Sequence, residues 1–280
     1  MNTEKGFEWI GTAGDPVRIE HLPLSSLELL REHIDALSDV FIADLHLSVD
    51  TPKLNQAFES LLDLLIQAQP QHLYIMGDWF NAWLGDDIEL PWFDSIAAKI
   101  LTLSKKTHIY VLPGNRDFAI NQKFLAPLGA ELIRDPLLLR ELNQNTILSH
   151  GDRYCTGDVG YQRLKKVLTN PWILRLLRAS PKGFRLKLSE FLRGQSKTRT
   201  RIKAQSIMDV EQSAIERQFK LDQENQPSVL IHGHTHRPGL HQSGLNARIV
   251  LGDWYVDRQQ VHTQIAIKTG SHFTLLKLSL

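Results

Sequence analysis

The chain has 280 residues, 42% hydrophobic and 22% charged, the balance of a soluble globular protein with room for a sizeable core in one large domain, with or without an insert. A single cysteine, Cys155, excludes an internal disulfide and fits a reducing cytoplasm. The first residues lack a basic stretch followed by an apolar core, and no apolar run approaches the roughly 20 residues of a membrane helix, so neither a secretory signal nor a spanning segment is expected.

Residues 1 to 38 read as an N-terminal extension. Within it Ser25 and Glu28 form a capping-box pattern, and Leu27, Leu30, Ile34 and Leu37 follow at helical spacing. The spacing then predicts a buried strand over Val40–Ala43 ending at Asp44, a helix over 54–67 and a second strand over His72–Met76 ending at Gly77-Asp78. A helix over 92–104 and a strand over His108–Leu112 lead to Gly114-Asn115. Short strands over Thr146–Ser149 and Ser228–Ile231 end at His150 and near His234. Strands alternate with helices, and each strand delivers a polar block at its C-terminal end, where open α/β sheets carry their sites. Residues 39 to 280 are therefore read as one domain. The pattern changes between about 160 and 210, where no strand signal occurs. Trp172, Ile173, Leu174, Leu176 and Leu177 cluster with Arg175 and Arg178, and a second amphipathic stretch runs from Phe184 to Leu192. A helical insert lying over the site is expected there.

Charge is gathered in that insert. Residues 163 to 203 hold 13 Lys or Arg against one acid, Glu190, a local balance of +12 in a chain whose net charge is +1, leaving −11 for the rest. Such a segment suits phosphates or anionic lipid headgroups. A nucleic-acid groove is the competing reading of the same charge.

Five blocks carry the chemistry: Asp44-Leu45-His46, Gly77-Asp78, Gly114-Asn115-Arg116-Asp117, His150-Gly151-Asp152 and Gly233-His234-Thr235-His236. Any one is a common turn sequence. Together they offer carboxylates, an amide oxygen and imidazoles, a donor set that suits Mn²⁺, Fe²⁺ or Zn²⁺ and can hold two ions side by side to generate a hydroxide that attacks phosphorus. On extended backbone Asp44 and His46 would share one face. So would His232, His234 and His236, of which two are expected to ligate, with His232, deepest in the strand, the structural one.

These blocks resemble the calcineurin-like metallophosphoesterase superfamily, which implies an α/β sandwich of two mixed β-sheets flanked by helices, with a dinuclear centre. Carried over residue by residue, the resemblance implies one metal held by Asp44, His46, Asp78 and His236, and a second held by Asp78, Asn115, His150 and His234. From residue 40 onward, segments such as 77–87, 150–158, 207–210, 232–238 and 250–254 resemble more narrowly the UDP-2,3-diacylglucosamine pyrophosphatases of lipid A biosynthesis. That resemblance implies two Mn²⁺ per chain and hydrolysis of UDP-2,3-diacylglucosamine to UMP and 2,3-diacylglucosamine 1-phosphate. It also implies peripheral contact with the anionic inner membrane at its cytoplasmic face, and no nucleic-acid partner. Asn115, Arg116, Asp158, Ser196, Thr200, Lys203 and His234 become substrate-contacting positions; Thr200 stands where that family has Asn, Asn81 where it has Glu, and residues 1 to 38 have no counterpart. Neither Asn81 nor the extension is expected to touch a proposed ligand.

Arg116 adds an argument of its own. A phosphate monoester released from a pyrophosphate has a second pKa near about 6 and can depart as an anion. Arginine is a poor proton donor but binds phosphate oxygens bidentately. With His234, it is the expected catalytic residue, and it favours a pyrophosphate over an ester with an alkoxide leaving group. A nucleotide or nucleic-acid phosphodiesterase on the same fold is the alternative, and a scaffold without catalysis is the non-enzymatic one.

Overall fold

A computed structural model describes residues 9–10, 18–24, 34–83, 85, 90–141, 144–185, 187–188, 209–221 and 226–280. The first half of the chain gives strands β1 (Trp9–Ile10), β2 (Arg18–Leu24) and β3 (Asp39–Ile42), helix α1 (Pro52–Ala68), β4 (His72–Met76), α2 (Asp94–Leu103), β5 (His108–Leu112), α3 (Gln122–Leu125), β6 (Ala130–Leu132), β7 (Leu137–Arg140) and β8 (Asn145–Ser149). The second half gives α4 (Val159–Leu168), α5 (Pro171–Ala179), α6 (Gln212–Leu221), β9 (Ser228–His232), β10 (Gly239–Ser243), β11 (Asn246–Val250), β12 (Tyr255–Asp257), β13 (Gln260–Thr269) and β14 (His272–Ser279).

The strands form two mixed sheets. One is nine-stranded, in the order β1-β2-β14-β13-β3-β4-β5-β6, with β12 paired to β13; the other runs β10-β11-β9-β8-β7. In the first sheet β3, β4 and β5 are parallel, with Val40 opposite Leu73 and Leu73 opposite Ile109. The period-2 alternation of these strands sorts their side chains into two layers. Val40, Ile42, Leu73 and Ile75 pack outward with Phe58, Leu61 and Leu65 of α1 and Ile96 and Ile100 of α2. Phe41, Ala43, Tyr74 and Met76 pack inward with Leu148, Val229, Ile231 and Ile249 of the second sheet. The far face of that second sheet, through Ile147 and Leu230, is covered by Ala214, Ile215 and Phe219 of α6. The result is helix, sheet, sheet, helix. Both sheets point the C-terminal ends of their parallel strands (β3, β4, β5, β8, β9) to one edge.

The α1 boundaries follow local chemistry. Pro52 occupies the first turn, where its missing N–H is not needed, and Gln69 ends the helix in the left-handed conformation.

Several parts differ from the sequence reading, among them the unexpected strands β6 and β7 between β5 and β8. No strand was expected beyond Ile231, yet β10 to β14 are there, mostly in antiparallel ladders. Their signal is weak because they mix exposures: β12 is wholly exposed, and β13 alternates buried Val261, Thr263 and Ile265 with polar residues. The N-terminal extension contributes β2, which lies parallel to β14 with Arg18 opposite His272 and Leu24 opposite Leu278. The helix expected from Leu27 lies mostly outside the described residues, and its end, 34–38, is a turn closed by Ser38 N donating to the Asp35 carbonyl. In the insert, α4 buries no residue and α5 buries Leu177 alone. Among the described residues no helix is long and apolar enough to cross a membrane.

Candidate metal centre

The five polar blocks meet at the common edge of the strands. Donor atoms of Asp44, His46 and His236 lie within 4.8 Å of one another, and so do those of Asp44, Asp78 and His150. Asp78 faces both groups: its Oδ2 is 4.0 Å from His46 Nδ1, and its Oδ1 is 3.7 Å from His150 Nε2. Asn115 Oδ1 stands 3.0 Å from His150 Nε2. The rings of His150 and His234 are 5.0 Å apart.

The backbone that carries these side chains is not extended, which corrects the reason given for pairing Asp44 with His46 and His234 with His236. Eight non-glycine residues among those described have φ between 44° and 82°, and five of them are Asp44, His46, Asp78, His234 and His236. Each such conformation costs about 1–3 kcal/mol and persists only where the surroundings impose it. The surroundings here are specific. Asp44 Oδ2 accepts the His234 N–H at 2.8 Å, and Asp78 Oδ1 accepts the Arg116 N–H at 2.8 Å. Buried Asp117 accepts from Gly114 N and Trp79 N, each at 2.7 Å, and so pins both loops beside Asp78. Trp79, Phe80, Trp83, Phe93 and Phe124 pack ring on ring beneath that loop. Gly77 is required: at φ +90°, a Cβ would lie 2.3 Å from His150 Nδ1.

Each histidine is turned by the hydrogen bond of its other nitrogen. His150 Nδ1 donates to the Met76 carbonyl at 3.1 Å, leaving Nε2 for the cluster. His236 Nδ1 faces Asp253 Oδ2 at 3.2 Å, leaving Nε2 3.4 Å from His46 Nε2. His232 spends both nitrogens elsewhere, Nδ1 on the Gly233 carbonyl and Nε2 on Arg248.

Burial sets the electrostatics, and the carboxylate–imidazole packing corrects it. Burial alone would raise Asp44, but His236, whose Nε2 is 3.7 Å from Asp44 Oδ1, and the charges of His150 and His46 hold its pKa below the usual carboxylate range. Burial opposes charge on His150 and His236, yet Asp78 and Asp44 push His150 up to about 9, and the carboxylates of Asp253 and Asp44 push His236 up to about 10. Burial pushes His46 down to about 3 and His234 down to about 4, helped by Arg116 and His150 respectively. Burial, then the charge of Asp78, push Asp117 up to about 7. Burial also pushes Asp78 upward, so in the chain alone protons shared among these imidazoles and carboxylates offset the buried charge. A divalent cation would take over that balance. The donor set fits one: Asp44 Oδ1 and His46 Nδ1 are buried with no hydrogen-bond partner, an expense that metal ligation removes.

Arg116 lies at the rim, its Nε 3.5 Å from Asp78 Oδ2 and its guanidinium donating to Asn81 Oδ1 at 2.7 Å. Asn81 thus holds the expected catalytic arginine, a role the sequence reading did not give it. Asp158 caps α4 by accepting from Tyr161 N at 3.0 Å. Ser196, Thr200 and Lys203 lie outside the described residues. Three supporting residues escaped the sequence reading: Asp117, Asp253 and Asn81. Asp117 and Asp253 sat within blocks already singled out, but only the fold shows that their carboxylates turn back on the ligand loops.

The Calcineurin-like phosphoesterase family matches residues 40–238. The UDP-2,3-diacylglucosamine hydrolase of Stutzerimonas stutzeri (strain A1501) is 42% identical over 245 residues, 86% of this chain and 99% of that protein. Proteins of the same name from Pseudomonas fluorescens (strain SBW25) and Shewanella piezotolerans are 43% and 41% identical, each over 77% of this chain and over 87% and 90% of their own lengths. The chain belongs to the calcineurin-like metallophosphoesterases and, within them, to the family of the UDP-2,3-diacylglucosamine hydrolases.

Proposed function

We propose that the chain hydrolyses the pyrophosphate of UDP-2,3-diacylglucosamine to UMP and 2,3-diacylglucosamine 1-phosphate with two Mn²⁺, one held by Asp44, His46, Asp78 and His236 and the other by Asp78, Asn115, His150 and His234. The ions supply Lewis acidity, drawing charge from phosphoryl oxygens and lowering the pKa of water. The names of the relatives support the substrate. The observation that carries the reading is Arg116 at the rim of the carboxylate–imidazole cluster, held by Asn81 and Asp78. Its guanidinium binds the leaving phosphate and offsets charge in the transition state without giving up a proton. A phosphate leaving group needs no proton. His234, pushed down to about 4 by burial and His150, is neutral at pH 7 and offers a lone pair or an N–H.

The substrate's acyl chains would lie along the insert. Trp172 and Leu176 are 75% and 73% exposed there, and Phe184 is 58% exposed. The same surface, with exposed Lys166, Arg175, Lys182 and Lys187, suits peripheral contact with an anionic leaflet. Ser196, Thr200, Lys203 and Asp158 complete the proposed substrate contacts.

The test sets UDP-2,3-diacylglucosamine against bis-p-nitrophenyl phosphate, whose leaving group also needs no proton. The proposal expects a large kcat/KM preference for the former with Mn²⁺ present. A preference for the small diester would favour a phosphodiesterase, and no turnover of either by the loaded protein would favour a scaffold.

A further inference from the structure

Helix α4 has no buried residue to hold it against the body, yet three of its side chains converge on one buried acid. Asp152, two residues after His150, has a side chain 2% exposed. Its Oδ1 accepts from Lys165 Nζ at 2.7 Å, and its Oδ2 accepts from the Tyr161 hydroxyl. Gln162 Nε2 donates to the Asp152 carbonyl at 2.8 Å and to the Cys155 carbonyl at 3.1 Å. Residues 161, 162 and 165 lie on one side of a helix, so that side of α4 is spent on this anchor, while Arg163 and Lys166 stay exposed. Lys165 is consequently one insert cation that is already neutralised. The anchored tyrosine has a second contact: its ring lies nearly parallel to that of His234, 25° between planes and 6.2 Å between centroids. His234 in turn meets His150 edge-on.

We propose that Asp152 is a positioning residue that fixes α4 on the body and, through Tyr161, sets the orientation of the His234 imidazole. The insert and the ligand cluster are then one mechanical unit: a ligand that displaces α4 turns His234, and a loosened anchor leaves His234 misaimed. A misplacement of this kind acts on kcat more than on KM. The inference extends the proposed function, because the insert is where that reading seats the acyl chains.

Lys165 is the cleanest probe, since its hydrogen bond and ion pair run to Asp152 and it does not touch His234 through them. The experiment uses full-length protein loaded with a diamagnetic divalent ion, ¹⁵N-labelled in histidine, with Lys165→Met, Lys165→Arg and Asp152→Asn compared with wild type. Metal content, the His234 side-chain resonances and the kinetics of bis-p-nitrophenyl phosphate hydrolysis are read together. Lys165→Met should shift the His234 resonances at unchanged metal content and lower kcat by roughly tenfold with KM little changed, and Lys165→Arg should restore both. Asp152→Asn should do the same more strongly; if it fails to fold, Lys165→Met alone decides. His234 resonances unmoved by Lys165→Met, with kcat within about twofold of wild type, would overturn the proposal. The small diester has no acyl chains, so these results stand or fall independently of the lipid substrate.

Discussion

At the strand ends Asp44, Asp78 and His150 are at most 2% exposed, while on α5, in the insert, Trp172 and Leu176 are about three-quarters exposed. Both regions concentrate charge, and they handle it in opposite ways. The cluster pairs every charge at short range inside the protein, on backbone held at unfavourable φ. Among its described residues the insert presents cations and apolar side chains together on an outer surface and buries only Leu177 and Arg185. Arg178 donates to the Ala119 carbonyl at 3.0 Å and Arg185 is buried, so two arginines that a sequence reading counts with the free cations serve the packing instead. The difference separates two tasks: buried, imposed geometry suits chemistry on a phosphoryl group, and a cationic, apolar surface suits a ligand that is itself part anion and part lipid.

The largest expected effect breaks the cluster. Asp78→Ala removes the carboxylate that faces both donor groups. Activity should be abolished and metal content should fall toward one equivalent or less; normal stoichiometry with normal turnover would remove the two-ion reading. Next, Phe58→Ala strips a fully buried ring from between α1 and the sheet. It should lower unfolding free energy by about 3–5 kcal/mol in denaturant titration, while exposed Leu176→Ala should change it by less than about 0.5 kcal/mol. Similar losses at both sites would contradict the contrast between core and insert.

Arg116→Ala tests the rim. It should forfeit roughly 2–4 kcal/mol of transition-state stabilisation with metal content intact, and Arg116→His should not fully restore pyrophosphate hydrolysis. A variant within about twofold of wild type would leave Arg116 without a catalytic part. The pH dependence sharpens the electrostatic side of the comparison. His150 and His236 titrate above their ordinary 6.5, at about 9 and about 10. In metal-free protein their contribution to stability is fully present below 6.5 and is lost as pH rises through those values. The Tm of chelated protein should therefore fall between pH 6.5 and 10. Metal affinity should rise over the same interval, because binding expels those protons. A pH-independent affinity in that window would contradict the assignment.

The last comparison concerns the insert, where each single charge carries a small effect. Replacing Lys166, Arg175, Lys182 and Lys187 by Gln should weaken sedimentation with anionic vesicles by about 1 kcal/mol per charge near the surface, most clearly at low salt, with bis-p-nitrophenyl phosphate hydrolysis unchanged. Unchanged vesicle binding would point to another surface.

Much of the first sheet was legible because β3, β4 and β5 are short apolar runs, each ending in a polar block. The same property exposed the site: a candidate ligand at a strand end appears in the sequence as a polar residue within three positions of an apolar run. What stayed hidden has two physical causes. Strands such as β12 and β13 are partly exposed, and their pairing is set by partners far away in sequence rather than by local composition. The candidate ligands' left-handed backbone was hidden because the enrichment of Asp and His at positive φ is too weak to single out a position; the hydrogen bonds that impose it, Asp44 to His234 N and Asp78 to Arg116 N, cross 190 and 38 residues of sequence. Asp117 and Asp253 were invisible as supports for the same reason.

The central claim is that this centre cleaves a pyrophosphate joined to a diacylated sugar. The most direct test is mass spectrometry of the products formed from UDP-2,3-diacylglucosamine by Mn²⁺-loaded protein, with and without chelator, beside UDP-N-acetylglucosamine, which has the same pyrophosphate and no long chains. The account predicts UMP and 2,3-diacylglucosamine 1-phosphate, loss of both on chelation, and poor turnover of the acetylated sugar, since each buried CH₂ contributes about 0.8 kcal/mol. Release of UDP in place of UMP, or equal kcat/KM for the two sugars, would contradict it.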